Sequence, residues 1–168
     1  MIYIFEGLDE CGKTTLIKKI YKKHYPKFEY IHLKKPLSKK EILDFYKILQ
    51  LYDKPDSKDL LLDRCYLISH YVYGSVFHEK LFLEKNLIFD MLFNLRYVKL
   101  FYASLNDDNE VSEQIKRIEN AGDYKIADNF LFLHIQYEDF ISELDYEMDV
   151  ERINPFNYND ENIDDLFI

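Results

Sequence analysis

The chain is poor in residues that staple or punctuate a fold. Its 168 residues include two cysteines, four glycines, four prolines and no tryptophan. Cys11 and Cys65 are too few for a disulfide framework and lack the spacing of a cysteine metal site, so a reducing compartment is expected. No apolar run approaches the roughly 20 residues of a membrane-spanning helix. The first residues enter an apolar strand pattern directly. They do not show a basic segment followed by an apolar stretch and small residues, so no secretory signal is expected and the predicted setting is cytoplasmic. Positive charge is not in excess either, since the net charge is −9. A surface that tracks the phosphates of a long nucleic acid has to be basic, which argues against a DNA or RNA polymer as partner.

What is abundant is apolar and aromatic: 48% of residues are hydrophobic and 17% are aromatic, which excludes a disordered chain. The length suits one α/β domain with a real core and is short for two. Acidic residues concentrate late, at 106–113, 138–151 and 160–165, and lysines early, at 18–27 and 34–40. Such runs read as solvated helix faces.

Scarce glycine makes the placement of two glycines informative. Gly7 and Gly12 stand five apart, and the stretch reads Gly7-Leu8-Asp9-Glu10-Cys11-Gly12-Lys13-Thr14-Thr15. This is the phosphate-binding P-loop pattern G-x-x-x-x-G-K-[ST]. A chance match in a chain this long has a probability under about 1 in 100. The glycines let the backbone wrap a phosphate, and the N–H groups at the start of the following helix add a positive dipole end. Lys13 is expected on the β- and γ-phosphates, Thr14 on Mg²⁺ and Thr15 near the α-phosphate. The motif by itself means a bound nucleoside triphosphate.

Periodicity places strands at 2–6, 28–33, 60–62, 97–104 and 149–153, and helices at 14–23, 66–77, 81–95 and 126–144. Ser38 and Glu41 form a capping box for another helix, and 34–37 is a loop because Pro36 keeps its predecessor out of the helical region. Strands alternating with helices imply a parallel sheet covered on both faces. Ligands bind such sheets beyond the carboxyl ends of the strands. The glycine loop, Lys35-Pro36 and Asp63-Arg64 all fall there.

Together these residues resemble thymidylate kinase and its nucleoside monophosphate kinase relatives. The run Phe5-Glu6-Gly7-Leu8-Asp9-Glu10-Cys11-Gly12-Lys13-Thr14-Thr15 is similar to that family's F-E-G-x-D-x-x-G-K-T-T signature. Leu62-Asp63-Arg64 is similar to its D-R motif, and Ser69-His70-Tyr71-Val72-Tyr73-Gly74 to the helix start of phage-type members. Lys35-Pro36 stands where the family usually has R-E-P, and 106–125, with Lys116-Arg117-Ile118-Glu119, stands in the place of the lid. Departures point to a small viral-type member, in which case the setting is the host cytoplasm. The gap from Asp63 to Ser69 is one residue longer than in common cellular enzymes. No arginine lies between strands two and three, where Lys34 or Lys35 would serve as point charges, and the lid is poor in arginine.

The resemblance implies a P-loop three-layer αβα sandwich with about five parallel strands. It also implies a single kinase domain over 1–168 and transfer of the ATP γ-phosphoryl group, with Mg²⁺, to a deoxynucleoside monophosphate, dTMP before others. Lys13, Arg64 and Asp9 become the catalytic set. Arg64 would clamp the acceptor phosphate, Asp63 would join Thr14 at the metal, and Asp9 would meet the acceptor sugar or the metal shell. Arg117 would cover the donor base or phosphates, or simply pair with Glu113 one turn earlier. Tyr66, Tyr71, Tyr73 and Phe45 are the candidates to stack on the acceptor base. Glu6 reads as structural, and the five histidines show no motif spacing. The family's habit of dimerising through helix faces makes a homodimer through 66–95 an expectation. Two competitors remain: a deoxynucleoside kinase, disfavoured because the segment after strand two lacks a carboxylate to act as general base, and a nucleotide-binding protein without turnover.

Overall fold

The computed structural model describes residues 1–36, 38–105 and 108–167. Leu37 of the predicted loop and residues 106–107 of the predicted lid lie outside the described residues. Five strands form one all-parallel sheet: β1 (Ile2–Gly7), β2 (Phe28–His32), β3 (Asp59–Asp63), β4 (Val98–Ala103) and β5 (Asp149–Ile153). Their order is β2-β3-β1-β4-β5. β1 is central, in register with β3 at Ile4↔Leu62 and with β4 at Ile4↔Leu100. The chain steps from β1 to one side of the sheet and, after β3, to the other. The carboxyl end of β1 therefore lies where ligands bind in sheets of this kind.

The crossovers are α1 (Lys13–His24), α2 (Lys39–Tyr52), α3 (Tyr66–Val76), α4 (Lys85–Phe93), α5 (Asp108–Asn120), α6 (Tyr124–Asp128) and α7 (Phe130–Leu144). Alternation along the buried strands divides the core in two. Ile2, Ile4, Leu60, Leu62, Leu100 and Tyr102 face the layer built by α2, α3, α4 and α7. Phe5, Leu61, Phe101 and Ile153 face α1, where Leu16, Ile17 and Ile20 pack on them. The three consecutive leucines of β3 thus serve both faces, as expected of a strand covered on each side. This is the three-layer αβα arrangement.

One local expectation changes. The helix expected at 126–144 is broken at Asn129. The Asn129 side chain donates to the Lys125 carbonyl (2.9 Å) and its backbone N–H to the Ile126 carbonyl (3.1 Å), closing α6 before α7 begins. Asp123 caps the start of α6 by accepting from Ile126 N–H. The polar pair Asp128-Asn129 was the signal within an otherwise apolar pattern. The Ser38 cap forms as expected, with its hydroxyl accepting from Glu41 N–H at 3.2 Å.

Most apolar side chains of 66–95 are spent on this chain's own core, including Leu67, Ile68, Val72, Ile88 and Leu92. Leu81 and Leu87 of that segment are exposed, and another group of exposed apolar side chains lies on α7, at Leu131, Phe132 and Ile135. Among the described residues, no helix is long and apolar enough to cross a membrane.

The α1 layer is completed by the segment after β5, through 3-10 helices at Pro155–Asn157 and Ile163–Phe167. Ile163 and Leu166 are fully buried, and Phe167 meets Tyr3 edge-on at 4.9 Å. Asp164 binds Lys23 (2.9 Å) and His24 (2.7 Å) of α1. Leu166→Ala should therefore lower the unfolding free energy by about 2–4 kcal/mol, the usual cost of a large-to-small change in a core. Urea denaturation measures this, and a loss below about 1 kcal/mol would mean that the segment does not form part of the core.

Candidate active site

The glycine loop joins β1 to α1 in a conformation that its sequence explains. Gly7 has φ 131°, and a Cβ there would lie 2.7 Å from the Ala103 carbonyl oxygen of β4, so only glycine fits. Gly12, at φ 85°, caps the start of α1. Glu10 also takes a left-handed φ of 57°. Lys13 is buried; its Nζ donates to the Leu8 carbonyl and lies 3.1 Å from Cys11 Sγ. The loop, the first turn of α1 and Lys13 together make a cradle for phosphate oxygens. Thr15 is exposed on the cleft beside it.

Asp63, at the end of β3, is wholly buried and gathers three donors on one oxygen. Its Oδ2 accepts from Thr14 Oγ1 (2.6 Å) and Tyr30 OH (3.2 Å) and lies 2.8 Å from His32 Nδ1. Burial and the Asp63 charge push the Tyr30 phenol up to about 12, so it remains a donor. Oδ1 is buried with no hydrogen-bond partner among the described residues. A hard divalent cation wants oxygen ligands and keeps several of its waters. A free carboxylate oxygen beside a threonine hydroxyl at the phosphate loop suits Mg²⁺. Thr14 and Asp63 are the residues that would hold it.

Arg64 follows, with φ 78° and its N–H on the Phe5 carbonyl at 3.0 Å. A non-glycine residue in this region is held there by its surroundings. Arg64 pairs with Asp9 Oδ1, and its guanidinium lies 5.6 Å from the Tyr73 ring centroid. Tyr73 OH donates to Asp9 Oδ2 at 2.6 Å. Asp9 thus points across the cleft to α3 and not outward to solvent. Its carbonyl accepts from Gln114 of α5, so the helix in the place of the lid touches the phosphate loop directly.

Beneath these lies Glu6, the last side chain before the loop and fully buried. Oε1 accepts from Cys65 N–H and from Ser69 Oγ (2.8 Å). Oε2 accepts from Tyr137 OH (3.1 Å) and Gly7 N–H (3.3 Å). Burial raises its pKa, and the bond from Cys65 N–H and the charge of Arg64 pull it partly back.

A cleft of about 600 Å³ runs from the loop along α3. Asp9 to Thr15, Arg64, Tyr66 and Tyr73 line it, facing His32, Lys34 and Lys35 from the end of β2 and Lys125 and Ile126 of α6. Two stacking candidates lie elsewhere. Phe45 is buried edge-on against Tyr66 (5.1 Å), and Tyr71 packs on Phe140 (5.3 Å) away from the cleft. Their helical spacing marked an apolar face, and in both cases that face is core. Arg117 makes its pair with Glu113 (3.3 Å) and also stacks at 4.4 Å on Phe156, whose ring is 3.0 Å from a Cβ built on Gly12. It therefore borders the glycine loop at Gly12.

Sequence reading missed His32, Tyr30, Gln114 and Phe156. Pairing the ends of β2 and β3 would have found the first, since His32 is in register with Asp63. Nothing local marks Gln114 or Phe156.

No protein-family model and no curated protein matches the chain. Solved structures do. The Bacillus subtilis YorR protein in complex with phosphorylated GDP has a TM-score of 0.69 at 21% identity, covering 99% of this chain and 94% of that one. Deoxyadenosine kinase from M. mycoides with bound dCTP has a TM-score of 0.58 at 16% identity, covering 99% and 96%. The same enzyme with bound dATP has 0.58 at 18%, covering 99% and 97%. The chain shares the fold of these structures, an all-parallel five-stranded sheet between helical layers.

Glu6 offers a pH test. Its folded-state pKa is raised, so its contribution to stability is fully present below the ordinary carboxylate value near 4.5 and is lost as pH rises through the raised value. Glu6→Gln keeps an acceptor for Cys65 and Ser69 and removes the titration. The stability of Glu6→Gln relative to wild type should rise as pH increases above about 4.5 and through the raised value. Paired urea unfolding curves read this, and a pH-independent difference would contradict the raised pKa.

Proposed function

We propose that the chain moves the γ-phosphoryl group of ATP to the 5′-phosphate of a deoxynucleoside monophosphate, with dTMP the first acceptor to test. Residues 1–168 then act as one kinase domain with α5 and α6 as its lid. One observation carries this reading: the donor loop and the acceptor arginine are joined directly. Thr14 touches Asp63, and the next residue, Arg64, reaches back to Asp9 inside the loop. The P-loop kinase fold supports it.

Phosphoryl transfer asks the protein for positioning and charge compensation more than for covalent chemistry. Lys13 and the loop N–H groups hold the donor phosphates. Mg²⁺, held through Thr14 and Asp63, would neutralise charge on the triphosphate. Arg64 binds the acceptor phosphate, with a planar fork suited to two oxygens. Asp9 and Tyr73 orient Arg64 and present a carboxylate and a phenol to the acceptor sugar. Tyr66 offers a ring to the acceptor base. Arg117 and Phe156 offer a cation and a ring to the donor base.

A second reading is a deoxynucleoside kinase, favoured by the fold shared with deoxyadenosine kinase. It requires a general base for the sugar hydroxyl, and Leu33, Lys34, Lys35 and Pro36 after β2 supply no carboxylate. ATP consumption with deoxynucleosides and with deoxynucleoside monophosphates, run side by side, separates the two. ATP binding with no turnover of either would mean a nucleotide-binding protein.

Lys13→Ala should lower turnover by about 10²-fold or more while leaving the unfolding curve unchanged, since it removes the donor's principal cation. Near wild-type turnover would refute the loop assignment. Arg64→Ala should raise the monophosphate KM by about 10–100-fold, as expected for a lost charge-assisted contact, with ATP affinity within about threefold of wild type. Equal losses in both would remove Arg64 from the acceptor side.

A further inference from the structure

The outer end of the cleft carries a charge arrangement that the transfer step does not use. Glu79 stands between two lysines from distant parts of the chain. Its Oε2 pairs with Lys35, from the segment after β2, and its Oε1 is 3.9 Å from Lys125 Nζ on α6. Lys125 also sits 4.2 Å from the Phe77 ring centroid. All four side chains line the cleft. The backbone fixes where Glu79 stands. His78 before it has a left-handed φ of 52°, and the Glu79 N–H closes the end of α3 by donating to the Gly74 carbonyl at 2.9 Å. A carboxylate anchored at a helix end thus holds two cations carried by the β2 loop and by the lid.

Both lysines are largely exposed, and exposed pairs contribute little to stability. Glu79 therefore yields them readily to a stronger anion. A phosphate monoester, with close to two negative charges and three acceptor oxygens, is such an anion. An uncharged nucleoside is not. We infer that Glu79, Lys35 and Lys125 form a charge gate on the acceptor side: Glu79 is the resident anion that an incoming phosphate displaces from the two lysines. The gate favours phosphorylated acceptors over nucleosides, and it deepens the monophosphate reading on which it rests.

The sign of one substitution distinguishes the gate from a merely structural ion pair. Glu79→Gln removes the competing anion, so dTMP should bind about 3–10-fold more tightly, whereas loss of a structural pair would weaken binding. Lys35→Ala and Lys125→Ala should each weaken dTMP binding by about the same factor. In Lys35→Ala/Lys125→Ala, adding Glu79→Gln should change nothing, because coupled residues lose their effect together. Thymidine affinity and ATP affinity should stay put in every variant. Titration calorimetry with dTMP, dAMP, dCMP, dGMP and the matching nucleosides reads all of this, and the same proteins are assayed for turnover. The gate is overturned if Glu79→Gln leaves monophosphate binding unchanged or weaker, if wild type binds nucleosides as tightly as monophosphates, or if it binds none of the panel. Monophosphates bound through the gate but never phosphorylated would leave the gate standing and remove the kinase reading. Monophosphates phosphorylated with no response to Glu79→Gln would do the reverse.

Discussion

The site depends on one buried carboxylate. Glu6 has no exposed surface, and each oxygen accepts two hydrogen bonds, from the backbone at Gly7 and Cys65 and from the hydroxyls of Ser69 and Tyr137. A buried anion is tolerable only when satisfied in this way. The requirement acts as a geometric constraint. The start of the phosphate loop, the turn after β3, the first turns of α3 and the middle of α7 must all meet at one point. Two halves of the site, the glycine loop and the Asp63-Arg64 turn, are thereby fixed to the same support.

Above that support the two halves are cross-linked twice. Thr14 reaches from the loop to Asp63, and Arg64 reaches from β3 back to Asp9. These adjacent residues, Asp63 and Arg64, carry opposite charges in opposite directions, one toward Thr14 and one toward Asp9. The strained φ of Arg64 is the turn that separates them. In the proposed reaction, this arrangement would place positive charge between two polyanions that otherwise repel each other.

Much of this was legible in the sequence, and the boundary has a physical reason. The phosphate loop, the Ser38 cap and the leucine run of β3 are signals contained in a few consecutive residues, and each forms at its expected place. The Asp63-Arg64 pair was visible as a strand end. The partners of that pair were less so. His32 and Tyr30 meet Asp63 only because β2 lies beside β3 in a particular register. Gln114 reaches Asp9 from 105 residues away. Aromatic candidates divided according to which helix face turned inward: Tyr66 and Tyr73 line the cleft, while Phe45 and Tyr71 pack elsewhere. Helical spacing identifies an apolar face but not what that face will meet.

Strand order also has a consequence in time. β1 precedes the other four strands yet occupies the middle of the sheet, and both of its neighbours, β3 and β4, are made long after it. Its apolar residues have no ladder partners until the ribosome has supplied those strands. Glu6 likewise waits for Cys65, Ser69 and finally Tyr137. Contacts between such distant segments close slowly, and an unpaired strand is vulnerable meanwhile. The phosphate loop is therefore synthesised before the strands and side chains that give it its shape.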